Sequence, residues 1–128
     1  MINIINGGLC VDTNELIHVI AEACDDKQAE EIIILNMKEV SLIADYFLIC
    51  HANNQRQIQT IAHAVRDAVE KEGITVNYME GYEQARWIVI DTGYVLCHIF
   101  HVDERRFYNL ERLWGDATRV PLQIGQEG

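Results

Sequence analysis

Proline is almost missing from this chain of 128 residues: Pro121 stands alone. With an apolar share of 49%, that scarcity excludes a disordered tail and points to one folded domain of ordinary size. Cysteine is present but unpaired in pattern. Cys10, Cys24, Cys50 and Cys97 are widely spaced and form no C-x-x-C, so free buried thiols are expected rather than a zinc or redox motif. No apolar run approaches the ~20 residues that span a bilayer. Met1–Leu9 lacks a basic start and a proper apolar segment, which argues against a secretory signal and for a cytoplasmic protein. Cations are also scarce, with 10 Lys and Arg against 20 Asp and Glu, a net charge of −10. Residues 1–45 hold nine acids against Lys27 and Lys38. Such a field opposes a direct grip on a phosphate backbone and favours a basic partner, although solubility alone also accounts for it. Neither G-x-S-x-G nor a Walker-type glycine loop occurs.

What is present is regular periodicity. Residues 1–11 read as a loose leader broken at Gly7-Gly8, residues 12–118 as the domain, and 119–128 as a flexible tail beginning near Pro121 and ending at Gly125 to Gly128. A helix should start at Asp12 or Thr13, with Leu16, Ile20, Ala23 and Cys24 on one face and Asp25-Asp26-Lys27 at its end. Ile32–Leu35 and Tyr46–Cys50 are continuous apolar runs, the mark of strands covered on both sides. Between them a helical turn is expected near Ser41. A second helix is capped by Asn54, with Gln57 reaching back, and carries the stripe Ile58, Ile61, Ala62, Val65 and Val69 up to Gly73. Thr75–Glu80 reads as a strand nearer an edge. Trp87–Ile90 and Val95–Phe100 then form a hairpin about Asp91-Thr92-Gly93-Tyr94. Helices alternate with strands early and a hairpin comes late. That order predicts an α/β fold of the α+β kind: a mixed sheet of about five strands with helices on its faces.

Residue chemistry offers little to catalysis. His98 and His101 lie three apart in one predicted strand and face opposite ways, as do Cys97 and His98, so no metal or cofactor site is expected. Asp91 ends a strand and Asp45 precedes one, but no second acid stands beside either to share a magnesium ion. Asp91 reads as a turn acceptor that leaves room for a partner contact. Residues 104–114 are different. Arg105, Arg106, Tyr108, Arg112 and Trp114, together with Trp87, are the residue types that dominate protein interfaces. A helix over 107–114 would put Tyr108 and Arg112 on one face and Leu110, Leu113 and Trp114 on a core stripe. Trp87 and Tyr108 suit core and interface equally.

Ala44-Asp45-Tyr46-Phe47-Leu48-Ile49, Asn53-Asn54-Gln55-Arg56-Gln57-Ile58, Glu80-Gly81, Trp87-Ile88-Val89-Ile90-Asp91, His98-Ile99-Phe100 and Arg106-Phe107-Tyr108-Asn109-Leu110-Glu111-Arg112-Leu113-Trp114 occur in that order. In this order and spacing the chain resembles the Iojap family, the ribosomal silencing factors, over residues 13–116. The resemblance implies a nucleotidyltransferase-like fold without catalytic acids, and a binding protein that is not an enzyme. It implies docking on the large ribosomal subunit through its fourteenth protein, exclusion of the small subunit, and lowered translation in starvation. It implies a homodimer in isolation, while the acidic balance and the lack of a long apolar run lead to the expectation of no direct nucleic-acid binding and no membrane partner. Carried over by motif, Trp87 and Tyr108 would contact the ribosomal protein, with Asp91, His98, Arg106 and Glu111 beside them. The family usually has a second acid in the hairpin turn where Tyr94 stands. Two other roles stay open: a large-subunit assembly factor, and a residual nucleotidyltransferase-like enzyme using Asp91 and Asp45. ATP with Mg²⁺ is expected to leave the melting temperature unchanged. A rise of several degrees that Asp91→Asn abolishes would revive the enzyme reading instead.

Overall fold

The computed structural model describes residues 2–5 and 9–122, with side chains from residue 13 to residue 122. The expected break at Gly7-Gly8 and the expected fraying at Gly125 to Gly128 lie outside the described residues. Two short strands, β1 (Ile2–Ile5) and β2 (Leu9–Asp12), pair antiparallel where the sequence suggests a loose leader. Each is four residues long, too short for alternation to declare itself.

The domain proper is built on a mixed sheet. Helix α1 (Thr13–Asp26) starts and stops where its acids and apolar face place it, and it buries Leu16, Ile20 and Cys24. Strand β3 (Glu30–Asn36) follows, and then a single helical turn in which Ser41 N–H donates to Met37 C=O. Strand β4 (Tyr46–Ala52) is buried at all seven residues. Helix α2 (Gln55–Lys71) buries Ile58, Ile61, Ala62, Val65 and Val69, the stripe read from its periodicity. Each such side chain removed from water contributes ~1.5–3 kcal/mol before chain entropy is charged against it. Asn54 caps this helix by accepting from Gln57 N–H. The Gln57 side chain does not close a capping box. It donates to the carbonyls of Lys27 and Gln28 and so ties α2 to the end of α1.

Strand β5 is only Tyr78–Glu80, shorter than the expected Thr75–Glu80. Strands β6 (Trp87–Asp91) and β7 (Val95–His101) form the hairpin, with Gly93 at a φ of 103° in its turn. Helix α3 (Val102–Tyr108), helix α4 (Leu110–Leu113) and strand β8 (Thr118–Val120) complete the chain. The strand order is β5-β6-β7-β4-β3-β8, six strands rather than about five. The addition, β8, pairs with Ile34–Asn36 at the edge of β3, and its three residues carry no period that a sequence could reveal. All neighbours are antiparallel except β4 and β7.

Alternation along the strands feeds two cores. Tyr46, Leu48, Cys50, Ile88, Ile90, Cys97 and Ile99 pack with α1 and α2 on one face. Phe47, Ile49, Leu35 and Phe100 pack with Leu110 and Trp114 on the other. The first face is closed by two long helices. The second is covered by the short α3 and α4, so residues of β6 and β7 on that side, Trp87, Val89 and Leu96, stay only half-buried.

The start of β6 is held by a close backbone approach. Gly81 has a φ of 84°, and a methyl group on it would come within 2.2 Å of the Trp87 carbonyl oxygen. Gln59 donates to Tyr82 C=O and Gln55 to Glu83 C=O, fastening the same loop to α2. Gly81→Ala therefore meets both a left-handed backbone and an overlap with main chain. It should lower stability by about 2 kcal/mol or more, read as a melting temperature reduced by about 5–10 °C.

Candidate functional site

The half-covered face is an aromatic ladder that climbs from core to surface. Trp87 pairs across the hairpin with Phe100, and their rings stack at 4.8 Å. Tyr108, at the end of α3, lays its ring on Trp87 from the solvent side, also at 4.8 Å. Phe107 stands edge-on to Tyr108 at 5.0 Å and is 78% exposed. Beneath Trp87, its Nε1–H donates to His98 Nδ1 at 3.1 Å. Phe47 touches His98 at 4.7 Å and meets Trp114 edge-on at 6.0 Å. Such ring pairs stabilise by ~0.5–1.5 kcal/mol each beyond the area they bury. Outside the ladder, Arg106, Phe107, Tyr108, Asn109, Arg112 and Leu113 line one shallow hollow.

The sequence-derived candidates divide into three groups. Trp87, Tyr108 and His98 come together, with Arg106 beside them. His98 is buried, so it supports Trp87 from below instead of offering itself to solvent. Asp91 is at the other end of β6, ~13 Å along the strand from Trp87. Its Oδ1 accepts from Gly93 N–H at 2.7 Å, the turn role its position suggests. Glu111 is turned inward, where its Oε2 accepts from Arg105 Nε at 2.8 Å. Its side chain is only 16% exposed.

Three expectations for residues 104–114 are corrected. The helix does not run through 107–114: Asn109 adopts the left-handed conformation (φ 50°, ψ 58°) and separates α3 from α4. Leu113 is consequently 69% exposed while Leu110 is buried, so they form no shared core stripe. Arg105, grouped by type with interface arginines, is buried and bonded within the fold. Asn is the one residue in this segment that tolerates left-handed backbone well, and it was the available signal for the break. Nothing in the sequence marks Leu42 and Ile43, which are also strongly exposed in the loop before β4.

Burial keeps the imidazole beneath Trp87 uncharged near neutral pH. Since Nδ1 of His98 accepts from Trp87, the ring proton sits on Nε2, a buried atom with no partner among the described residues. Burial lowers the His98 pKa from 6.5 to about 4. The unfolded chain then binds a proton that the folded chain refuses. Stability drawn from neutral His98 is complete above pH 6.5 and is lost as pH falls through that value towards 4. The full span is about 3 kcal/mol. Among the described residues no group of His, Cys, Asp or Glu is arranged to hold a metal ion. His98→Phe is expected to flatten the fall in urea midpoint between about pH 7 and pH 4.5, followed by tryptophan emission. A slope identical to that of the unsubstituted protein would show that His98 takes up its proton in the fold as readily as in the unfolded chain.

Known proteins share this sequence pattern and fold. Residues 11–127 match the family model described as ribosomal silencing factor during starvation. The ribosomal silencing factor RsfS of Halalkalibacterium halodurans is 52% identical over 113 residues, covering 88% of this chain and 97% of the relative. That of Bacillus subtilis is 49% identical over 115 residues, covering 90% and 98%. The chloroplast protein Iojap of Zea mays is 32% identical over 80% of this chain and 45% of its own length. A crystal structure from Bacillus halodurans superposes with a TM-score of 0.76 at 50% identity, covering 85% of this chain and 99% of that one. A structure from Chromobacterium violaceum superposes with a TM-score of 0.81 at 23% identity, a likeness of fold. This chain therefore belongs to the RsfS family of ribosomal silencing factors, which includes Iojap.

Proposed function

We propose that this protein binds the large ribosomal subunit through the Trp87–Tyr108 face and, by occupying space there, keeps the small subunit from joining. The partner on the subunit is its fourteenth protein, and no bond is made or broken. One observation carries the reading: a large, rigid aromatic pair is left half-covered at the surface of a domain whose relatives are named ribosomal silencing factors. Buried aromatic anchors with a polar rim are how interfaces concentrate their binding energy. Phe107 and Leu113 extend the apolar area, and Arg106 and Arg112 supply the rim. A standard interface takes about 800 Å² from each partner, roughly a ninth of the 7357 Å² this chain exposes.

Charge plays a smaller part than the net value suggests. Glu22, Asp25, Asp26, Asp67 and Glu72 line a groove between α1 and α2, on the far side of the sheet from Trp87. A sheet-to-helix layer is ~10 Å thick, about one Debye length at cellular salt. The acids thus raise the encounter rate with a basic partner only weakly, and they do not orient the docking face. Silencing under starvation and large-subunit assembly would use this same surface at different times.

The reading is tested by sedimenting purified large subunits with the protein. Trp87→Ala and Tyr108→Ala are each expected to weaken co-sedimentation by more than tenfold. Undiminished co-sedimentation of both folded variants would remove this face from the interaction.

A further inference from the structure

Arg105 is 5% exposed and touches three separate elements. Its Nε and Nη2 donate to Glu111 Oε2 of α4, the former at 2.8 Å. Its Nη1 donates to Glu31 C=O of β3 at 2.7 Å and to His51 Nδ1 of β4 at 2.9 Å. His51 Nε2 in turn lies 3.3 Å from Glu30 Oε1. Strand β3 is irregular at this point. Its register against β4 slips between Glu30 and Ile33, and Glu31 has a φ of 49°. That distortion turns a carbonyl out of the ladder and towards the guanidinium, an arrangement that costs backbone strain.

The pair Arg105–Glu111 spans the break at Asn109. In an unbroken α-helix, residues six apart are ~9 Å apart along the axis and ~120° apart around it, so their side chains leave on diverging faces and are not the neighbours that pair on a helix surface. The bridge exists only if the helix is broken. Local propensity runs the other way, because Leu, Glu and Arg crowd residues 104–113 and favour continuation. Two anchors also compete across the break. Tyr108 lies on Trp87, while Leu110 is buried in the second core with Trp114. A continuous helix would turn these two side chains to faces ~160° apart. Only the left-handed turn at Asn109 serves both.

We infer that Arg105 and Glu111 are positioning residues for the docking face: their buried pair selects the broken helix and so holds Tyr108 on Trp87. This rests on the proposed function, and it gives Glu111 a role within the fold in place of the partner contact expected from motif. In the continuous form Arg105 would be a buried cation without its carboxylate, which disfavours that form strongly.

A double-mutant cycle decides it. Binding to purified large ribosomal subunits is measured for Glu111→Gln, Tyr108→Ala and the double variant. In parallel, Trp87 emission is followed in a Trp114→Phe background, so that one tryptophan reports. Glu111→Gln is expected to weaken binding by about tenfold when Tyr108 is present and to add nothing when Tyr108 is already Ala. It should also shift Trp87 emission to the red as the Tyr108 ring leaves. Arg105→Lys keeps the charge but cannot make all three contacts, and it should behave as Glu111→Gln does. It serves as the test if Glu111→Gln does not fold. Additive losses would overturn the inference by making Glu111 a direct contact. Unchanged binding by Glu111→Gln with a weakened Tyr108→Ala would overturn it while leaving the docking face intact. If Tyr108→Ala binds normally, binding no longer reads the pair, and if Trp87→Ala does so too the docking face itself fails. Trp87 emission then judges the pair alone: a spectrum unmoved by Glu111→Gln counts against it, and a red shift supports it.

Discussion

The parallel pairing of β4 with β7 is the constraint on which the molecule turns. β4 is buried along its whole length, and its partner register runs from Tyr46 opposite Val95 to Ala52 opposite His101. Parallel neighbours cannot be joined by a tight turn; they need a long crossover. Here the crossover is α2, the Gly81 loop, β5 and β6. That path lays α2 across one face and delivers the β6–β7 hairpin to the sheet beside β4. Chain leaving β7 at His101 then passes to the opposite face, where α3 and α4 form. His101 caps α3 by accepting from Asp103 N–H.

Unequal covering of the two faces follows. α1 and α2 are 14 and 17 residues long and shield their side fully. α3 and α4 have seven and four residues, so they shield Phe47, Ile49 and Phe100 but only overhang Trp87. The exposed aromatic surface is what remains when a short, broken helix closes a wide sheet. Core and surface meet at Trp87. Its ring is core on the Phe100 side and surface on the Tyr108 side. Its indole N–H is satisfied by a histidine whose own environment keeps it neutral. On the proposed function, a ring fixed on three sides would lose little entropy when a partner covered the fourth.

The glutamines of α2 show how the same face is held from behind. Gln55 and Gln59 donate to carbonyls of the loop at Tyr82, Glu83 and Gln84, and Gln57 donates to those of Lys27 and Gln28. Two of these fasten the segment that leads into Trp87, and Gly81 lets that segment touch the Trp87 main chain. The Asn53-Asn54-Gln55-Arg56-Gln57-Ile58 motif is therefore more than a helix start. It is the far end of the support under the aromatic pair.

Elements long enough to show a period were legible in the residues alone: the stripe on α2, the apolar runs of β3 and β4, and the hairpin turn with Gly93. Alternation and helical spacing are local, so they are written in local sequence. Strands β1, β2 and β8 were not legible, because three or four residues carry no period and their pairing is settled by which edge lies open. The break at Asn109 was legible only in the tolerance of Asn for left-handed backbone. Propensity favours a continuous helix, and the break is stabilised by Glu111, Glu31 and His51, which lie six, 74 and 54 residues from Arg105. The sequence by itself determined the fold class, the two helix faces, the family and the residue types of the aromatic cluster. Only tertiary structure decided that Arg105 and Glu111 are interior, that His98 is a support, that Asp91 stands apart, and that Phe107 and Leu113 face solvent. Each of those outcomes depends on which distant groups meet a side chain, and short-range pattern carries no record of that.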